Sequence, residues 1–127
     1  MAGVRVFTDL KFWQRARAWS KDIFQDTKRD PFRGDVRLVV QINDSSESVG
    51  ANIAEGCGRR GNSEFHRFLQ IASGSCSELT YHLLLARDLG YLDASEYSSL
   101  ETSAKEVHKM LAGLIAKIDS DRLATDH

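Results

Sequence analysis

The sequence predicts an all-α protein, an antiparallel up-down-up-down four-helix bundle. Three observations predict it. Apolar residues recur at intervals of three and four through four successive segments. Pro31 is the one proline, so little interrupts helical geometry. No useful length alternates with period two, so no sheet is expected.

The first segment covers about residues 10–27. Leu10, Trp13, Ala16, Ile23 and Phe24 form its stripe, with Ser20 as a small residue between them. Thr8 or Asp9 can cap it by accepting hydrogen bonds from the free N–H groups of the first turn. The tract 29–34 ends it, because proline disfavours helical geometry at Asp30 and Gly34 loosens the chain.

The second segment covers about residues 35–54. Val39, Ile42, Ser46, Val49 and Ile53 follow the three-then-four spacing of a bundle seam. Beside that seam runs a polar stripe of Gln41, Ser45, Ser48 and Asn52. Such short side chains favour close approach of another helix or a second subunit. The plainer reading is a mildly polar exposed flank.

The third segment covers about residues 64–89, with Asn62 or Ser63 as its cap. Phe65, Phe68, Leu69, Ala72, Cys76, Leu79, Leu83 and Ala86 form its inner face. Gly90 ends it, where a left-handed residue is needed. Gly74 is out of place, since an interior helix glycine costs ~1 kcal/mol relative to alanine. Tight backbone contact at Ser73, Gly74 and Ser75 is the usual compensation.

The fourth segment covers about residues 94–118. Asp93, with Glu96 three residues on, makes a capping-box-like start. Tyr97, Leu100, Ala104, Val107, Leu111, Leu114 and Ile118 form the stripe, and the tail 119–127 is expected to fray. Residues 1–127 read as a single four-helix-bundle domain of common size.

Composition narrows the function classes. A hydrophobic fraction of 42% fits a soluble globular protein. No apolar run approaches the ~18 residues of a membrane span, so no membrane partner is expected. The first residues lack the charged start and apolar block of a signal peptide, which points to the cytoplasm.

Net charge is −1, but it is unevenly spread. Residues 1–33 carry eight Lys and Arg against four acids, while 76–127 carry five against nine. The first helix and the central turn are therefore basic. The bland reading is a solvated surface. The sharper one is a side facing a polyanion or a charge-matched partner. In the bundle topology the 56–61 turn shares an end with the start of helix one. Arg59, Arg60 and Arg67 are expected to gather there near Arg5, Lys11 and Arg15.

Reactive chemistry finds little footing. Di-iron bundles use Glu-x-x-His on two helices, and no such motif occurs. Glu78 and His82 read as a helix-surface ion pair. His66 and His108 lack ligand-spaced company, so no metal or other cofactor is expected. Cys57 and Cys76 read as two reduced thiols, with Cys76 packed inside. Cys57 near His66 is the one nucleophile–base candidate, and no catalytic residue is assigned. The turn G-C-G-R-R-G lacks a Walker lysine and follows a helix, so it is a weak phosphate loop. Backbone N–H groups at the start of the third helix can still bind an anion.

Several tracts carry a family resemblance. They are N-I-A-E-G (52–56), R-R-G-N-S-E-F (59–65), F-L-Q-I-A-S-G-S-C-S-E-L (68–79) and L-G-Y-L (89–92), with L-K-F-W-Q-R-A (10–16) and K-M-L-A-G-L-I (109–115) nearer the ends. They resemble the bacterial four-helix-bundle family whose members are often encoded by intervening sequences within large-subunit (23S) ribosomal RNA genes. The resemblance covers almost the whole chain. It implies an antiparallel bundle that assembles as a ring-like homopentamer, has no enzymatic activity and has an unsettled cellular role. It also implies kinship with the accessory protein of diversity-generating retroelements, a basic pentamer that binds nucleic acid and a reverse transcriptase. One departure stands out: where the family commonly carries two arginines in helix two, this chain has Asn43 and Asp44.

The leading expectation is a non-enzymatic oligomeric scaffold that partners itself. Ser45, Ser48, Asn52, Ser73, Gly74 and Ser75 are the candidates for close packing within or between subunits. The alternative is binding of RNA, or of a nucleic-acid-processing protein, with Lys11, Arg15, Arg59, Arg60 and Arg67 on phosphates.

Overall fold

The computed structural model describes residues 7–125, and the side chains of 8–121. Four α-helices dominate it: α1 (Lys11–Thr27), α2 (Val36–Cys57), α3 (Gly61–Asp88) and α4 (Ala94–Thr125). Short 3₁₀ turns at Phe7–Asp9 and Phe32–Gly34 precede α1 and α2. There is no strand among the described residues.

Successive helices pack side by side, and α1 also packs on α4. Cross-helix pairs run in opposite order along neighbours. Ser20 meets Ser46 while Thr27 meets Asn43 between α1 and α2. Arg15 on α1 meets Glu106 on α4, while Arg29, just beyond α1, meets Glu96 on α4. That is the ordering an up-down-up-down path requires.

The expected stripes on α2, α3 and α4 point inward almost throughout. All eight residues named on α3 are buried. Val39 and Leu114 are only partly buried, at the edges of their stripes. In α1 the buried face is rotated from the expected one. It consists of Phe12, Ala16, Trp19, Ile23 and Thr27, with Leu10 and Trp13 packed at its margin. Trp19 is 1% exposed and heads the fully buried side chains by volume. It anchors α1 against the other helices.

The helix ends show which local chemistry succeeded. Asp93 and Glu96 form the expected reciprocal capping box: the Glu96 N–H donates to Asp93 Oδ1 at 2.7 Å, and the Asp93 N–H donates to Glu96 Oε1 at 3.0 Å. Gly90 has φ +81°. Tyr91 N–H reaches the Ala86 carbonyl and Gly90 N–H the Arg87 carbonyl, which is the double closure of a Schellman motif. At α2, Asp35 Oδ1 accepts from the Leu38 N–H at 3.2 Å.

Two expected caps are corrected. α1 starts from Leu10 with no side-chain cap, and Thr8 instead lends its carbonyl to Gln14 Nε2 at 2.8 Å. α3 starts at Gly61, so Asn62 and Ser63 lie within its first turn. Gly61 has φ +79°, which reverses the chain immediately after Arg60 and begins the helix sooner than expected. α2 continues beyond 54 to Cys57, and α4 continues through the segment expected to fray, as far as Thr125.

Candidate interaction surfaces

The polar stripe of α2 meets α3 at Ser48. The Ser48 and Ser75 hydroxyls lie 2.8 Å apart, and Asn52 Nδ2 donates to the Ser48 carbonyl at 2.8 Å and to Ser48 Oγ at 2.9 Å. Ser45 is buried and donates to the Gln41 carbonyl one turn back at 2.7 Å. Ser73 faces α4, with its Oγ 3.1 Å from His108 Nε2. Five of the six expected packing residues thus make polar contacts within one chain: Ser48, Ser73 and Ser75 between helices, and Ser45 and Asn52 along α2.

Gly74 behaves otherwise. A Cβ added there would meet nothing within 4 Å, so no close intrachain packing occurs at that glycine. The close approach is at Gly56. A Cβ there would lie 2.9 Å from Phe68 Cβ and 3.0 Å from Phe65 Cδ1. The absence of a side chain at 56 lets the end of α2 lie directly on the start of α3.

The expected basic end separates into two groups. Arg59 and Arg67 converge on Phe68, with guanidinium carbons 5.2 and 4.5 Å from the ring centroid. Arg67 also pairs with Glu64 at 2.9 Å, and Arg59 with Glu55 at 3.6 Å. Arg60 sits at the turn between them, exposed, with no carboxylate partner among the described residues. Lys11 and Arg15 do not join this group. A Cβ on Gly50 would lie 3.8 Å from Trp13 Nε1, which sets the start of α1 beside the middle of α2. Roughly two helical turns then separate it from the α2–α3 turn. Arg15 is held by Glu106 at 2.6 Å. Arg5 lies outside the described residues.

The departure at 43 and 44 also divides. Asn43 is half-buried against α1, with Nδ2 3.4 Å from Thr27 Oγ1, while Asp44 is exposed. The second of these positions alone would offer charge to an outer surface.

The exposed apolar side chains are the feature that the sequence stripes did not reveal. Val36, Val40, Ile71, Tyr81, Leu84 and Leu89 all belong to α2, α3 or the residue closing α3. Val36 is 68% and Tyr81 62% exposed. The α1–α4 side instead carries the ion pairs Arg15–Glu106 and Arg29–Glu96. Val36, Val40, Ile71, Tyr81 and Leu84 fall off the inner stripes, and the three-and-four spacing marks only the stripe.

Reactive groups remain structural in setting. Cys57 and Cys76 are both buried, and neither is in a disulfide. Burial pushes the Cys76 thiol up to about 11, so it stays protonated at neutral pH. His66 Nε2 lies 2.9 Å from Asp119 Oδ1, out of line for a hydrogen bond, and joins α3 to α4. His82 does pair with Glu78, at 3.4 Å, but the imidazole is buried rather than on the helix surface. Among the described residues no three His, Cys, Asp or Glu side chains assemble as a metal site, and no helix is long and apolar enough to cross a membrane.

Comparison with known proteins gives a family match and matching solved structures. The family model described as "23S rRNA-intervening sequence protein" matches residues 8–113. A crystal structure from Bacteroides thetaiotaomicron, of a protein with unknown function from the S23 ribosomal protein family, superimposes with a TM-score of 0.77. It is 24% identical, and the match covers 83% of this chain and 95% of that one. At that identity it shows a shared fold. No curated protein matches.

Proposed function

Because this chain belongs to the 23S rRNA-intervening sequence protein family, we propose that it is a non-enzymatic scaffold that assembles with copies of itself in the cytoplasm, as a ring-like pentamer. One observation carries this reading: the large exposed apolar residues lie along α2 and α3. Apolar surface gathered on one side of a small protein marks an interaction face. Gly74 adds an opening on α3 that none of the described residues fills. A neighbouring helix packed there would supply the close contact that justifies an interior glycine. The charged α1–α4 side stays in water. A closed ring arises when such a face meets a different surface of the next subunit and the rotation closes.

The test is the mass in solution, by native mass spectrometry and light scattering. A multiple of the 14.2 kDa chain is expected. The double variant Val40→Glu/Tyr81→Glu, altering two exposed positions, is expected to dissociate it while keeping its helical circular dichroism. A wild-type monomer at micromolar concentration would sink the proposal.

A second reading is favoured by the Arg59–Phe68–Arg67 cluster with Arg60 beside it. The Glu55 and Glu64 pairs are exposed and therefore weak, so phosphates can compete for both arginines. Assembly would repeat the patch in each subunit and add avidity. Retention of RNA should fall steeply with salt. Unchanged low-salt retention by Arg59→Ala/Arg60→Ala would remove this assignment.

A further inference from the structure

We propose that the outer face of α2 is covered by the outer face of α1 from the next copy of this chain, with Asp44 and Glu47 facing Arg17 and Lys21. This pairing rests on the self-assembly proposed above and names the two surfaces that meet. Between residues 11 and 28 the exposed charges are Lys11, Arg15, Arg17, Lys21 and Lys28 against Asp22 alone. On α2 they are Asp44, Glu47 and Glu55 against Arg37 alone. One helix is basic outside and its neighbour acidic, a complementarity that brings copies together and sets their register.

The minority charges stand aside. Asp22 lies round toward α4, where it lines a hollow with Glu96 and Ser99. Arg37 lies about two turns before Asp44, beside Tyr81 and Leu85 on the α3 flank. Arg15 and Glu55 are engaged within the chain, with Glu106 and Arg59. Asp44, Glu47, Arg17 and Lys21 have no ion-pair partner among the described residues, although Arg17 also lies over the Trp13 ring. They do not meet within one chain because Asn43 and Ser46 hold the flank of α2 that faces α1, which turns Asp44 and Glu47 outward.

Height along the bundle matches the two sets. The Ser20 and Ser46 hydroxyls lie 2.6 Å apart, so Arg17 and Lys21 stand within about a turn of the level of Asp44 and Glu47. Copies related by an axis running along the bundle meet level for level. Val36 and Val40 continue the outer stripe of α2 at the same four-residue spacing, and both are exposed. Ala18 and the methylene stems of Lys21 and Lys28 can cover them. The helices pack in the cyclic order α1, α2, α3, α4, so the outer faces of α1 and α2 diverge at a corner. Such a corner closes a small ring where opposite faces would extend a filament.

The test is charge reversal in the full chain, read as oligomeric mass by light scattering over a dilution series. All four positions are exposed, and circular dichroism checks that the helices persist. Arg17→Glu/Lys21→Glu and Asp44→Lys/Glu47→Lys should each raise the dissociation midpoint about tenfold or more, because like charges then face each other. Combining the four reversals in one chain should restore the wild-type midpoint. Added salt should weaken wild type and strengthen each double variant. Cysteines at the two surfaces give the direct contact: Lys21→Cys mixed with Asp44→Cys should cross-link on oxidation, while neither does alone. An assembled wild type that is indifferent to both reversals, or a fourfold variant no better than the doubles, overturns this pairing and leaves self-assembly standing. A monomeric wild type overturns both.

Discussion

Replacing Gly56 by alanine tests the α2–α3 contact most directly. Helix propensity alone favours the change by up to ~1 kcal/mol, less in the last turn where Gly56 sits. Packing opposes it. The new methyl would stand 2.9 Å from Phe68 Cβ and 3.0 Å from Phe65 Cδ1, against the ~3.5–4.0 Å of an ordinary carbon contact. Phe68 Cβ is bonded to the backbone of α3, so no side-chain rotation relieves the closer contact. The helices must move apart by most of an ångström, loosening Ile53, Phe65 and Leu69, all buried nearby. Overpacking of this kind costs ~1–3 kcal/mol, so the net loss is about 1–2 kcal/mol. That corresponds to a fall in Tm of roughly 3–10 °C for a chain of this length. The assay is thermal and urea unfolding followed at 222 nm, at fixed protein concentration because association shifts both midpoints. Gly74→Ala is the control, since nothing occupies the space around it. In an isolated chain it should gain up to ~1 kcal/mol. A Gly56→Ala protein as stable as wild type would refute the close-approach argument.

Three further outcomes follow from named contacts. Asp93→Ala removes one half of the capping box at α4 and should cost ~1 kcal/mol in urea unfolding, with Asp93→Asn recovering most of it. The Tyr91 hydroxyl donates to Asp35, and this bond raises the tyrosine above its ordinary value of 10.0. Its stabilising contribution is thus complete below the unfolded pKa and disappears as pH climbs through the folded one. Tyr91→Phe should be less stable than wild type at neutral pH, with the gap closing in strong alkali; a gap that widens there would contradict the hydrogen bond. Cys76, buried and held protonated, should resist iodoacetamide in native buffer and react on unfolding. Rapid native labelling, located by mass spectrometry, would contradict its burial.

What the sequence disclosed depended on how local the signal was. On α3 one apolar face dominates, and its whole stripe was legible. On α1 two faces compete, because Leu10, Trp13 and Phe24 suggest one orientation while Phe12 and Trp19 suggest another. Only tertiary packing chooses, and it buries Trp19. The Asp93–Glu96 cap was legible because both partners are near in sequence. The expected cap at Asn62 or Ser63 failed because Gly61 reverses the chain first. The small-residue reading was correct in kind and misplaced in position: the glycine in tight contact is Gly56, and Gly74 faces open space. Half of the basic cluster formed, around Phe68. Lys11 and Arg15 stayed apart because α1 is too short to reach the α2–α3 turn, and helix length mismatch is invisible to periodicity. His82 looked like a surface residue because its partner Glu78 is one. The exposed apolar residues are plain in the sequence, but their placement on α2 and α3 emerges only once the helices pack.

The four helices lengthen along the chain, from 17 to 22, 28 and 32 residues. Their ends cannot all be level. At one end the stacked Phe32 and Tyr91 rings, the Tyr91–Asp35 bond and the Arg29–Glu96 pair tie the connecting segments together. At the other, α1 begins well short of the α2–α3 turn, while α4 extends to Asp119 beside His66 and onward. Among the described residues the bundle is therefore tied at one end and stepped at the other, and Arg59, Arg60 and Arg67 stand on the step.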